Sequence, residues 1–219
     1  MQQQANPTQA ATHFAADLAD ELTDQIALPR DVAEQIFTYF KAAPLFRWQD
    51  ANNDCEDRAN AACLLLDAWG VPNVKAWVFS GDFCNKGSGQ LTNLWNYHVA
   101  AALPVQEGDN VLYYAIDPAT SAALISVDEW ALQVTQGGCS YHFIKQGVVY
   151  IFPNGIITKD NWFNRNKRNY NWTLQGLSGI NGVSLKGKAQ LAFRKDLPKK
   201  TGEVFRKLLN EPPAFLAKR

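Results

Sequence analysis

The chain lacks a dominant sign of charge. Its 219 residues carry 21 basic and 21 acidic side chains, so no global field draws it to nucleic acid or to a membrane surface. It also lacks a long apolar run: nothing approaches the ~20 residues that a membrane-spanning helix needs. Paired cysteines at metal-binding spacing are missing too. The four cysteines stand at positions 55, 63, 84 and 139 with no Cys-x-x-Cys among them, so no metal site is expected. One disulfide among Cys63, Cys84 and Cys139 is allowed, but the spacing does not indicate it. There is no internal repeat. The start, Met1-Gln2-Gln3-Gln4-Ala5-Asn6-Pro7, has no basic-then-apolar secretory pattern. The expectation is a cytoplasmic protein, one exported without a leader, or a trimmed secreted one.

What is present is material for a core. Apolar residues make up 47% of the chain and charged residues 19%, which is the balance of a globular domain rather than a disordered one. The charge is unevenly placed. Residues 1–50 carry three basic and seven acidic side chains, whereas residues 184–219 carry ten basic and three acidic. The basic end is either a solvated tail or an electrostatic foot for an acidic protein partner.

Helices dominate the first third of the chain. Phe14, Leu18, Leu22 and Ile26 recur at helical spacing within residues 13–27. Pro29 and Asp31 suit the start of a second helix carrying Val32, Ile36, Phe37 and Phe40 on one face, and Pro44 ends it. Leu45-Phe46-Arg47-Trp48 reads as short and extended. In the next helix, Asn53 or Asp54 is placed to cap, Ala59, Ala62, Cys63 and Leu66 form the packing stripe, and Gly70 and Pro72 mark the end. Strands are predicted at Val74–Phe79, Trp95–Pro104 and Val111–Asp117. A short helix is expected over Asp128–Leu132, then a hairpin of Tyr141–Ile144 and Val148–Phe152. Asn161–Tyr170 is polar and basic with interleaved aromatics, and Phe205, Leu208 and Leu209 suggest a last short helix. Helices first, then a mostly antiparallel sheet, is an α+β arrangement.

Three residues in this frame carry chemistry. Cys55 opens a predicted helix, where unpaired N–H groups and the positive dipole end favour the thiolate. His98 lies inside a predicted strand, and Asp117 ends the next one. If the intervening turn is centred on Glu107-Gly108, then Pro104 faces Val111 and His98 faces Asp117. Opposed Cβ atoms in such a ladder are roughly 4.5–5.5 Å apart, which is hydrogen-bonding range for imidazole and carboxylate. A thiol needs a base, and the base needs an orienting carboxylate; this order supplies all three. Taken singly, each has an ordinary structural reading: a small apolar residue, a buried strand histidine, an Asp-Pro turn. Against an easily ionised thiol stand Asp54, Glu56 and Asp57, because nearby anions disfavour a thiolate. His13 and His142 show no such partner pattern.

These stretches resemble the bacterial protein-glutaminase family within the transglutaminase-like, papain-like group. The resemblance runs through Leu28-Pro29-Arg30-Asp31-Val32, Phe46-Arg47-Trp48, Cys55-x-x-Arg58-Ala59, Trp95-Asn96-Tyr97-His98-Val99-Ala100 and Ile116-Asp117-Pro118. A weaker likeness continues through Val148-Val149-Tyr150 to Leu177-Ser178-Gly179. The histidine stretch is the most specific. The resemblance implies a papain-like fold and a hydrolase that converts glutamine side chains of proteins and peptides to glutamate with release of ammonia, using no cofactor. It implies Cys55 as nucleophile, His98 as general base and acid, and Asp117 as orienter. Its organisation here would be an N-terminal tail and helix over 1–27, a catalytic domain over 28–183 and a basic extension over 184–219. Asp54 and Glu56 flank the thiol where the family tends to have glycine and an aromatic.

Trp48 and Trp95 are candidates for a substrate wall, with core packing as the competing role. The expected partner is a protein or peptide bearing an exposed glutamine, with no nucleic acid, no membrane and a monomeric state. Transglutamination, cysteine proteolysis and a deamidating effector or toxin with a single target are other outcomes of the same triad. An inactive interaction module using the basic tail is the non-enzymatic alternative.

Overall fold

The computed structural model describes residues 26–50, 54–83, 87–136, 142–146, 167–179 and 188–216. Helix α1 is Arg30–Ala42 and helix α2 is Cys55–Ala68. Strands β1 (Val74–Phe79), β2 (Tyr97–Glu107), β3 (Asn110–Ile116) and β4 (Ile125–Ser126) follow, and helix α3 is Val127–Val134. Strand β5 (His142–Gln146) and helices α4 (Lys167–Leu177) and α5 (Lys188–Asn210) complete the described elements. The five strands form one antiparallel sheet in the order β4-β3-β2-β1-β5. This is the α+β architecture expected from the sequence.

Helix α2 is the centre of the molecule. It lies between β2 on one side and α4 and α5 on the other. That explains why the predicted stripe of Ala59, Ala62, Cys63 and Leu66 is buried, and why Asp57, Arg58, Asn60, Ala61 and Leu65 are buried as well. A helix covered on several sides has no solvent face to keep polar. Its C-terminus closes as the sequence suggested. Gly70 sits at φ 70°, the Val71 N–H bonds to the Leu66 carbonyl and the Gly70 N–H to that of Asp67, which is a Schellman ending.

Strand alternation sorts the rest of the core. Ala101, Leu103 and Val105 of β2 join the core under α1 and α2. Ala100 and Ala102 face the other way, toward Trp130, Ala131 and Val134 of α3. Polar ties cross these layers. The fully buried Lys75 of β1 donates to Asn60 Oδ1 at 2.8 Å, and Asn60 Nδ2 donates to Thr173 Oγ1 at 2.9 Å. Burial lowers the Lys75 ammonium to about 8, with Cys63 and Asp57 opposing that shift.

Several local expectations change. The β2–β3 hairpin pairs Glu107 with Asn110 and Pro104 with Tyr113, a register displaced by two residues from the expected Pro104–Val111. Gly108, at φ 60°, begins the two-residue turn, so the loop is centred one residue later than predicted. Leu45–Trp48 is not extended. Pro44–Phe46 forms a 3-10 turn, and Arg47 follows at φ 47°, since a proline in the first turn fixes a helical φ. Strand β5 pairs with β1 at the sheet edge, while its expected hairpin partner lies outside the described residues; of the first predicted helix over 13–27 only Ile26 and Ala27 are described, and neither is helical. Of Asn161–Tyr170, only Lys167–Tyr170 is described, as the start of α4. The last helix is long rather than short. It runs for 23 residues with Pro198 inside, and its Phe205 is fully buried in the main core beside Leu174 and Leu177.

Candidate active site

Cys55 is the first residue of α2. Asn53, one expected cap, lies outside the described residues; Asp54, the other, precedes Cys55 in the left-handed region at φ 67° and makes no side-chain cap. That turn aims the first helical residue at β2, where Cys55 packs beside Tyr97, Phe79, Phe83 and Val99. The sulfur donates to Glu56 Oε2 at 3.4 Å, and the Val99 backbone N–H points at it. Burial first, and then the Glu56 carboxylate, push the Tyr97 hydroxyl above its ordinary range. Burial first, and then Glu56, push the Cys55 thiol well above its ordinary range, outweighing Arg58 and the Val99 N–H. Here burial and Glu56 oppose the helix start, which by itself favours the thiolate.

His98 is the second residue of β2. Its Nε2 bonds to Asp117 Oδ2 at 2.8 Å, with both residues buried. The two-residue shift of register explains how this contact survives. The ladder ends with Ala101 facing Ile116, so Asp117 lies just past β3 and meets His98 diagonally. A shift of two preserves which face each side chain occupies; a shift of one would have separated them. Asp117 also accepts from Thr120 Oγ1 and from Trp130 Nε1, the latter at 3.0 Å. Burial alone would raise this carboxyl, but the His98 charge and the bonds from His98, Thr120 and Trp130 together hold it below the usual range. The Trp95 ring stacks on the imidazole with centroids 4.3 Å apart, and Trp130 lies tilted at 5.6 Å.

The structure therefore joins two of the three residues directly. Cys55 and His98 share no hydrogen bond. The thiol packs on the Tyr97 and Val99 side of β2, while the imidazole turns to the opposite side, toward Trp95 and Trp130. Tyr97 and Val99, the strand residues that flank His98, are the ones the thiol packs beside. Because Asp117 accepts from Nε2, the Nδ1 lone pair of His98 is left for a proton donor.

Of the two candidate wall residues, Trp95 is half-buried against His98. Trp48 stacks on Phe46 with centroids 5.1 Å apart and donates to the Phe40 carbonyl at 2.7 Å, deep in the main core. Sequence reading passed over Thr120 and Trp130. Thr120 had a signal, since a hydroxyl three residues after Asp in Asp117-Pro118-Ala119-Thr120 closes a local turn. Trp130 had none, because only packing of α3 onto the sheet brings it to Asp117. Another unforeseen feature is the segment before Trp95. Asn93 and Leu94 both hold positive φ, 57° and 56°, and Leu94 is 75% exposed. Among the described residues no group of His, Cys, Asp and Glu could hold a metal ion, and no helix is long and apolar enough to cross a membrane. Cys63 is buried, with its thiol donating to the Val74 carbonyl at 3.6 Å; Cys84 and Cys139 lie outside the described residues.

A thiol opening the central helix, with a buried histidine–aspartate pair on the adjoining strands, supplies the parts of a thiol-dependent hydrolase site. Residues 33–134, just under half of the chain, match the model of a family described as glutaminase; Cys55, His98 and Asp117 all fall inside that stretch. The resemblance read from the motifs is shown by this match, and the family is one of enzymes. The fold is similar to the solution structure of protein-glutaminase from Chryseobacterium proteolyticum, with a TM-score of 0.54 at 17% identity over 73% of this chain and 90% of that one. A crystal structure of protein-glutaminase gives a TM-score of 0.54 at 16% identity over 73% and 91%. A crystal structure of pro-protein-glutaminase gives 0.54 at 17% identity over 83% and 69%. At these identities the likeness is one of fold. No curated protein matches the chain in sequence.

Proposed function

We propose that the chain is a protein-glutamine amidohydrolase with Cys55 as nucleophile, His98 as base and acid, and Asp117 as orienter. The observation that carries this reading is the buried His98–Asp117 bond, whose three-donor carboxylate leaves Nδ1 as the basic nitrogen. The glutaminase match across all three residues supports it.

Turnover begins when the thiol leaves Glu56 and gives its proton to His98 Nδ1. The sulfur attacks the carboxamide carbon, and the backbone N–H of Cys55 at the helix start is placed to receive the oxyanion. His98 returns the proton to nitrogen, the C–N bond breaks, and ammonia leaves a thioester. Water then gives a proton to His98 and attacks the thioester, which releases glutamate and the thiol. Asp117 stabilises the imidazolium at each stage. Trp95 keeps the ring in plane and covers one side of it from solvent. Flanking polypeptide contributes binding energy, so free glutamine is a poor substrate.

The test is to incubate the protein with casein and a labelled primary amine. Ammonia release and label are measured together, with mass spectrometry to locate glutamine-to-glutamate changes. Ammonia without label is the expected result. Dominant label incorporation reassigns the enzyme as a transglutaminase. Neither signal across several protein substrates overturns a general amidohydrolase.

A further inference from the structure

We propose that Glu56 is a positioning residue for the nucleophile: it holds the Cys55 thiol turned away from His98 and releases it when a substrate carboxamide N–H takes the thiol's place. The inference rests on the reading of Cys55 as nucleophile. It begins from a mismatch in the site, where the base is fully oriented and the thiol is bonded elsewhere. The acceptor of the thiol proton is Glu56 Oε2, 3.4 Å from the sulfur. The Tyr97 side chain from β2 lies beside the same carboxylate, which together with burial holds its hydroxyl protonated. Tyr97 and Val99 lie on the strand face that the thiol occupies, and His98 lies on the other. A thiol that keeps its proton on Glu56 cannot give it to His98.

The electrostatics point the same way. Glu56 and Asp57 from α2 are anionic neighbours, and Tyr97 from β2 adds a hydroxyl that resists ionisation. Arg58 is the cation that favours the thiolate, and it does not prevail. The arrangement keeps the free enzyme's sulfur protonated and slow to react with small electrophiles.

Substrate supplies the release. An S–H is a weak donor and a carboxamide N–H a stronger one, so exchange on the Glu56 carboxylate favours the amide. The reacting carbon must come within about 3–3.5 Å of the sulfur, and Oε2 is 3.4 Å from that sulfur, so the amide nitrogen is within its reach. Once displaced, the thiol turns to His98 Nδ1. A γ-ester of glutamate carries no N–H and leaves the thiol on Glu56.

The experiment is the rate of Cys55 alkylation by iodoacetamide from pH 6 to pH 10, followed by mass spectrometry, for the native chain, Glu56→Gln and Tyr97→Phe. Glu56→Gln keeps the size of the side chain and removes its charge. Its alkylation limb moves to lower pH, with at least a tenfold gain in rate at neutral pH, about one pKa unit. Tyr97→Phe keeps the Glu56 carboxylate, so its limb stays at high pH as in the native chain. The same pH profile in the native chain and Glu56→Gln overturns the proposal. In parallel, hydrolysis of a glutaminyl peptide is compared with that of its γ-methyl ester. The native chain prefers the amide, and Glu56→Gln narrows that preference; an unchanged ratio overturns the release step. Cys55→Ala separates this inference from the reading beneath it. If that variant still releases ammonia, the catalytic reading fails whatever Glu56 does to the thiol.

Discussion

The two halves of the candidate site are held in different ways. On the histidine side, every group is fixed more than once. Asp117 accepts from three donors, and the imidazole lies against two indoles. On the thiol side, the sulfur packs on the Phe79 and Val99 face of the sheet, and its side-chain bond is the long contact to Glu56. On the proposed reading, building the base into the core costs no motion at the moment of reaction, and leaving the nucleophile on an exchangeable contact makes its reactivity conditional on what binds.

The largest effect that breaks this comparison comes from removing either end of the relay. Cys55→Ala and His98→Ala each abolish ammonia release while circular dichroism shows the fold retained. The double variant loses no more than either single one, since the residues act as a unit. Additive losses mean that they do not.

Asp117→Asn is less severe, because Asp117 does no covalent chemistry, yet it still lowers the rate by orders of magnitude, on the scale of about 10²–10⁴-fold. It also changes the acid limb of stability. The folded carboxyl titrates below its unfolded value, so its contribution is complete above the ordinary carboxylate range and is lost as pH falls through the depressed value. Acid denaturation followed by fluorescence shows that limb in the native chain and not in Asp117→Asn.

Trp130→Phe keeps the ring beside His98 and removes one donor to Asp117. Its cost is about 1–3 kcal/mol in stability, read from urea unfolding, and a smaller loss of activity than Asp117→Asn. An unchanged midpoint means that the indole bond adds nothing to the histidine half.

The smallest effect is at Leu94. A leucine at φ 56° bears a left-handed penalty of roughly 1 kcal/mol, so Leu94→Gly raises the melting temperature by a few degrees or leaves it level despite the added chain entropy. A clear drop in calorimetry means that the Leu94 side chain contributes more than its 75% exposure suggests.

Much of the frame was legible because it depends on local chemistry. Val74–Phe79 was bounded as a strand by its apolar run before Ser80-Gly81, and α2 ended at Gly70 because a left-handed terminus favours glycine. Cys55, His98 and Asp117 stood out because few residue types serve as nucleophile, base and orienter, and here they fall at a helix start, in a strand and at a strand end. The hairpin register was misread by two residues, since turn position depends on which of Glu107, Gly108 and Asp109 takes the corner. The His98–Asp117 pairing survived because strand alternation has a period of two.

By itself, then, the sequence determined most of the elements, the faces of the strands and three candidate site residues, Cys55, His98 and Asp117. Periodicity, glycine and proline placement and side-chain chemistry are local properties that a linear chain displays. The tertiary structure decided the surroundings of the thiol, the burial of Trp48 and the arrival of Trp130 at Asp117. Each depends on distances between segments far apart in the chain. Desolvation of Cys55 by β2 and the nearness of Glu56 oppose the helix start, and that balance exists only once α2 is packed against the sheet.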